Sequence, residues 1–161
     1  MQIQKINLEY EVYESSDELL ADDKELLDRA RQATGLAHAP YSKFKVGAAA
    51  RLESGELVLG SNQENASFPA GICAERVLLS TLSSVYPGKA IQSMAISYTS
   101  DGQACNHPIA PCGICRQSLS EFETQMRKPI RLIMGGKQGK IFIINQSATL
   151  LPLAFTSDEL K

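Results

Sequence analysis

"SFPAGICAERV", residues 67–77, puts a cysteine two residues before a glutamate just where an apolar helical pattern begins. "APCGICRQ", residues 110–117, sets two more cysteines at a comparable boundary. Each stretch opens a helix. The first carries Val77, Leu78, Leu82 and Val85 at helical spacing and stops at Pro87-Gly88. The second starts near Pro111-Cys112 and turns Leu119 and Phe122 inward. Between them "AIQSMAISYTS" reads as a strand, so helix, strand and helix alternate through the middle of the chain.

The alternation continues outward. "KFKVGAAARLESGELVLGSN" reads as two strands joined by a turn around Ser54-Gly55, and "PIRLIMG" with "KIFIIN" as a final pair around Gly135-Gly136. Upstream, Asp22 and Glu25 have capping-box spacing, and Leu26, Leu27, Ala30 and Ala33 form the stripe of a helix closed by Gly35 and Pro40. Residues 2–13 alternate loosely, with Ile6, Leu8, Tyr10 and Val12 on one parity, as a strand would. "ATLLPLAF" reads as a short terminal helix and the loop after it. Strands interleaved with helices indicate a layered α/β domain, and the two hairpins indicate a mixed sheet rather than a purely parallel one. No internal repeat, low-complexity tract or interdomain linker divides residues 1–161, so one domain is expected.

Composition narrows the classes. With 43% hydrophobic and 21% charged residues in 161, the chain can bury a substantial core and is not of the disordered kind. A net charge of −2 and the lack of a basic cluster give little support to a nucleic-acid phosphate track. The N-terminus mixes charges into every short window, unlike a secretory signal, and no stretch approaches a membrane span. A cytoplasmic protein is expected, in which the four cysteines are reduced thiols or metal ligands rather than disulfides.

Cys112 and Cys115 are three apart, so one helical turn brings both sulfurs to the same side, and Cys73 begins another helix. Two helix N-termini converging on one point would favour thiolates through their dipoles and free N–H groups. Zinc takes such ligands, and with three from the protein a fourth position is left for chemistry. Each cysteine taken singly could equally be a small core hydrophobe, and a lone C-x-x-C could be a redox pair. Glu75 taken singly is ordinary compensation of a helix dipole; two residues from a zinc thiolate it can instead carry protons. Arg76 is placed to offset thiolate charge by hydrogen bonding to sulfur. Cys105 and His107 lie in the polar loop "DGQACNHP" and His38 near the end of the first helix, none with ligand spacing. "GGK" at 135–137 lacks the rest of a phosphate loop and is a hairpin turn.

"CAE" at 73–75 followed by "PCGICRQ" at 111–117 closely resembles the zinc-dependent cytidine deaminases of the small, homotetrameric type. The resemblance covers roughly residues 27–156 and extends to "YSKFKVGAA" at 41–49, "NQEN" at 62–65 and "LLPLAF" at 150–155. It implies a three-layer α/β/α fold with a mixed sheet of about five strands. It makes Cys73, Cys112 and Cys115 the ligands of Zn²⁺ and Glu75 the proton shuttle. It gives the ribose hydroxyls to Asn62 and Glu64, packs Phe44 on the nucleoside and has the Ala74 backbone orient the pyrimidine. It also implies that Phe155 reaches a base bound mainly by a neighbouring subunit. The implied reaction is hydrolytic deamination of cytidine and 2′-deoxycytidine in pyrimidine salvage, with no organic cofactor.

Two departures stand out. Many relatives have tyrosine where this sequence has Phe68, which removes a hydroxyl, and the first 20 or so residues fall outside the family pattern, where an added edge strand is the modest reading. The alternatives are a deaminase of a cytosine-containing antibiotic or modified nucleoside, a non-catalytic zinc-stapled binding module, and an RNA- or DNA-editing enzyme. Asn62, Glu64 and Phe44 weigh against the first, Glu75 and the missing fourth ligand against the second, and the sparse basic surface against the third.

Overall fold

Residues 47–50 are all small, which lets helices approach the sheet closely from both sides. The computed structural model describes residues 1–160. Its strands are β1 (Glu11–Tyr13), β2 (Phe44–Leu52), β3 (Leu57–Ser61), β4 (Ile91–Ser100), β5 (Arg131–Gly135) and β6 (Ile141–Ile144). Its helices are α1 (Ala21–Ala33), α2 (Ala74–Val85) and α3 (Gly113–Met126). The sheet runs β1-β6-β5-β4-β2-β3, with β4 and β5 parallel and every other neighbouring pair antiparallel. The mixed sheet thus has six strands rather than about five.

Strand alternation divides the core into two layers. Ala49 of β2, Ala95 of β4 and Ile133, Ile141 and Ile143 face α1, meeting Leu26, Leu27 and Ala30. Ala48, Ala50, Met94, Ile96 and Leu132 face α2 and α3, meeting Leu78, Leu82, Leu119 and Phe122. Two glycines set the closeness of the layers: a Cβ at Gly47 would collide with the Ala30 carbonyl of α1, and one at Gly60 with the Ala74 carbonyl of α2. The second contact seats the first turn of α2, and with it Cys73, directly over β3.

Several sequence expectations shift. Helix α1 starts at Ala21 with Leu20 as its N-cap and no side-chain cap, so Asp22 and Glu25 form no capping box; Glu25 instead pairs with Arg51 at 2.7 Å. The buried stripe of α2 advances in steps of four, Ala74, Leu78 and Leu82, towards Tyr86, which also packs on the core. That leaves Val77 half-buried and Val85 exposed. Of residues 2–13 only 11–13 pair as a strand, opposite residues 141–143 of β6. "ATLLPLAF" makes a single 3₁₀ turn, Ser147–Leu150, then an irregular segment.

Candidate active site

Cys73 is the N-cap of α2 and Cys112 the N-cap of α3, and neither side chain is used to cap its own helix. Both sulfurs therefore stand at positive dipole ends, where a thiolate is favoured. Cys115 follows one turn into α3 and is buried. The three Sγ atoms all lie within 4.8 Å of one another. Cys73 and Cys112 are 3.7 Å apart, and Cys112 and Cys115 3.5 Å. Thiolates about 2.3 Å from a tetrahedral zinc would be separated by about 3.8 Å, so the cluster fits that ion. No fourth histidine, cysteine or carboxylate joins it among the described residues.

The thiols divide their protons unequally. Cys73 is lowered to about 6, chiefly because the Cys115 thiol donates to it, with Cys112 and the Arg76 charge adding and burial opposing. Cys115, as the donor to Cys73, is pushed up, and burial and the nearby Glu75 push it further. Arg76 acts on Cys73 through its charge; among the described residues no hydrogen bond joins its guanidinium to a sulfur. Glu75, one residue into α2, is only 5% exposed. Burial raises its carboxyl above the usual range and the Cys73 charge adds to this, while its own backbone N–H and the Cys115 thiol oppose it. A carboxyl whose hold on a proton is strengthened by burial is better suited to accept and then donate one than an exposed carboxylate.

These groups open onto a cavity of about 390 Å³. One wall is Cys73, Ala74, Glu75 and Cys112, and the facing wall is Phe44, Asn62 and Glu64. Asn62 fastens the start of β2: its Oδ1 accepts from the Val46 N–H at 2.7 Å and its Nδ2 donates to the Phe44 carbonyl at 2.9 Å. One amide N–H and one lone pair remain for a ligand. Glu64 accepts from the Tyr41 N–H at 2.9 Å and from the Ser42 backbone and hydroxyl, and the hydroxyl bond leads the effects that lower its carboxyl. The chain does not bring Phe155 to this cavity: the residue is 61% exposed, and its carbonyl is held by Gln117 at 2.9 Å.

The matching family model is described as the cytidine and deoxycytidylate deaminase zinc-binding region and spans residues 20–128. The chain belongs to that family. A cytidine deaminase of Halalkalibacterium halodurans is 36% identical over 140 residues, which are 87% of this chain and 98% of that protein. The crystal structure of cytidine deaminase from Burkholderia pseudomallei superposes with a TM-score of 0.69 at 36% identity, over 81% of this chain and 97% of that one. Cytidine deaminase from Mycobacterium tuberculosis superposes with a TM-score of 0.65 at 30% identity, over 84% and 98%.

Other residues at the site escaped the sequence reading. Ile109 and Ala110, just before the second cysteine pair, complete the cavity. Arg116 ties the loop ahead of Cys112 to the 3₁₀ turn Ser147–Leu150, donating to the Pro111 carbonyl at 2.8 Å and the Leu150 carbonyl at 3.1 Å. The signal for Arg116 was its place in "PCGICRQ", one residue after a ligand. Cys105 is buried, unlike the loop residue its surroundings suggest, and its sulfur accepts from the Ser100 N–H at 3.2 Å, away from the cluster.

Proposed function

We propose that this chain catalyses hydrolytic deamination of cytidine and 2′-deoxycytidine, consuming water and releasing ammonia and the corresponding uridine nucleoside. The observation that carries the reading is a buried glutamate beside a three-thiol cluster, facing a wall of Phe44, Asn62 and Glu64 across one cavity. Cys73, Cys112 and Cys115 would hold zinc, which would supply Lewis acidity to the attacking water. Glu75 takes the proton of the attacking water, places it on N3 of the pyrimidine, and then assists departure of the 4-amino group as ammonia. Phe44 packs on the nucleoside, Asn62 and Glu64 bind sugar hydroxyls, and the Ala74 backbone at the start of α2 orients the base. Arg76 moderates the negative charge of the thiolates.

The same reading makes residues 1–161 one domain of a cytoplasmic homotetramer in pyrimidine salvage. Supporting the assembly are the exposed Phe155 and the exposed Phe68 and Ile72 beside the cavity. The test is to incubate zinc-loaded protein with cytidine, deoxycytidine, cytosine, CMP and a panel of cytosine-containing antibiotics, measuring ammonia and products. Turnover of the two nucleosides with CMP used far less is expected, because Glu64 opposes a phosphate charge near the sugar. Turnover confined to an antibiotic, or zinc binding without turnover of any compound, would sink the proposal.

A further inference from the structure

Tyr98 does not line the cavity, yet it touches what forms two sides of it. It lies in β4 opposite Val46 of β2, on the parity of Met94 and Ile96, and is 1% exposed. Phe44, two residues from Val46, is its diagonal cross-strand neighbour. The two rings stack, with centroids 5.1 Å apart and planes 21° from parallel. At its other end the Tyr98 hydroxyl lies 3.2 Å from His107 Nδ1, and the His107 ring meets Tyr98 edge-on at 5.6 Å. Two residues beyond His107 the chain reaches Ile109 and Ala110, which wall the cavity.

A phenylalanine would fill the space under Phe44 equally well. A buried hydroxyl is costly without a partner. Burial raises the Tyr98 phenol further above its already high ordinary value, so it remains a donor. The hydroxyl thus has one evident task, to hold the His107 loop to the strand that carries the stack. Asn62 meanwhile fixes the Phe44 backbone through its carbonyl. The Phe44 backbone and ring are therefore held by different residues.

We propose that Tyr98 and His107 are a positioning pair: they hold the Phe44 ring and the Ile109 segment at the spacing the nucleoside requires, and so set KM rather than the chemical step. This rests on the reading of Phe44 as a nucleoside-packing residue. The experiment is steady-state kinetics with cytidine on the zinc-loaded protein and on Tyr98→Leu, Tyr98→Phe, His107→Ala, Phe44→Leu and Phe44→Leu/Tyr98→Leu, with zinc content and Tm for each. Tyr98→Leu is expected to raise KM about 5-fold, the scale of one lost aromatic pair, with kcat nearly unchanged. Tyr98→Phe and His107→Ala, which keep the stack, should raise KM by about 2-fold, and they carry the test if Tyr98→Leu fails to fold. In the Phe44→Leu background Tyr98→Leu should add little, since the partner it acts through is gone. The same KM factor in both backgrounds, or a lower Tm with KM unchanged, overturns the pair. If Phe44→Leu raises KM and the Tyr98 and His107 variants do not, this inference fails alone. If Phe44→Leu leaves KM unchanged, the reading of Phe44 fails and takes the pair with it.

Discussion

The two walls of the cavity are held by opposite means. On one, Cys73 and Cys112 stand at helix N-caps and the three sulfurs have chiefly one another as partners. On the other, Asn62 and Glu64 each fasten backbone as well as face the cavity. A substitution on the thiol wall removes chemistry and leaves the sheet standing. A substitution on the strand wall removes a contact and part of its scaffold together. Activity and stability should therefore separate on the first wall and move together on the second at Asn62, whose partners lie in β2.

The sharpest way to break that comparison is at the sulfurs. Cys73→Ala, Cys112→Ala or Cys115→Ala each removes one of the three proposed protein ligands, so zinc and turnover should both be lost. Cys105→Ser should keep both, its sulfur lying away from the cluster. Metal analysis of the purified variants decides: stoichiometric zinc in Cys112→Ala would remove it from the ligand set.

Glu75 tests the thiol wall without touching its metal. Glu75→Gln keeps the shape of the side chain and takes away the exchangeable proton. Zinc content should be normal while kcat falls at least about 100-fold, as expected on loss of a positioned acid–base group. Near-normal turnover would show that proton transfer runs by another route.

On the strand wall the prediction changes character. Asn62→Ala leaves the Val46 N–H and the Phe44 carbonyl without partners. That should cost about 1–3 kcal/mol of stability and raise KM as well. Glu64→Ala frees backbone groups of Tyr41 and Ser42, both exposed, so water can replace the carboxylate. KM should rise with little change in stability. Denaturant unfolding beside KM measurements checks both; an Asn62→Ala protein as stable as the parent would break the contrast between the walls.

The thiol wall was legible in the sequence because it obeys local rules. Residues three apart share a helix face, which joined Cys112 to Cys115, and a Pro-Cys or Gly-Ile-Cys boundary marks a helix start; adding Cys73 and Glu75 to the pair took the combination of motifs and the family resemblance. The strand wall depends on register. That Phe44 stacks on Tyr98 follows from pairing Val46 with Tyr98, 52 positions later in the numbering, which no local window carries. The same limit explains β1. Alternation in residues 2–13 is compatible with a strand, but which of them pair depends on β6, far along the chain, and only residues 11–13 meet it. The misplaced capping box has a different origin: Asp22 fits the helix-start pattern in isolation, yet the chain enters α1 through extended Leu20.

The smallest expected effect concerns a residue that belongs to neither wall. Phe155 follows Leu153, which is 94% exposed with a positive φ of 57°. Gln117 holds the Phe155 carbonyl, so the backbone is anchored to α3, and Phe155 is not among the residues that line the chain's own cavity. A ring presented in this way suits a neighbour's base in the proposed tetramer. An aromatic edge contact contributes on the order of 1 kcal/mol, so Phe155→Ala should raise KM by about 5-fold with zinc intact. Mixing Phe155→Ala with Glu75→Gln makes the geometry visible. In co-assembled tetramers some sites join an intact Glu75 to a neighbour's intact Phe155, so efficiency should exceed that of either variant alone. If the two demonstrably co-assemble and no recovery follows, Phe155 serves its own subunit or only packing, and the cavity is complete within one chain.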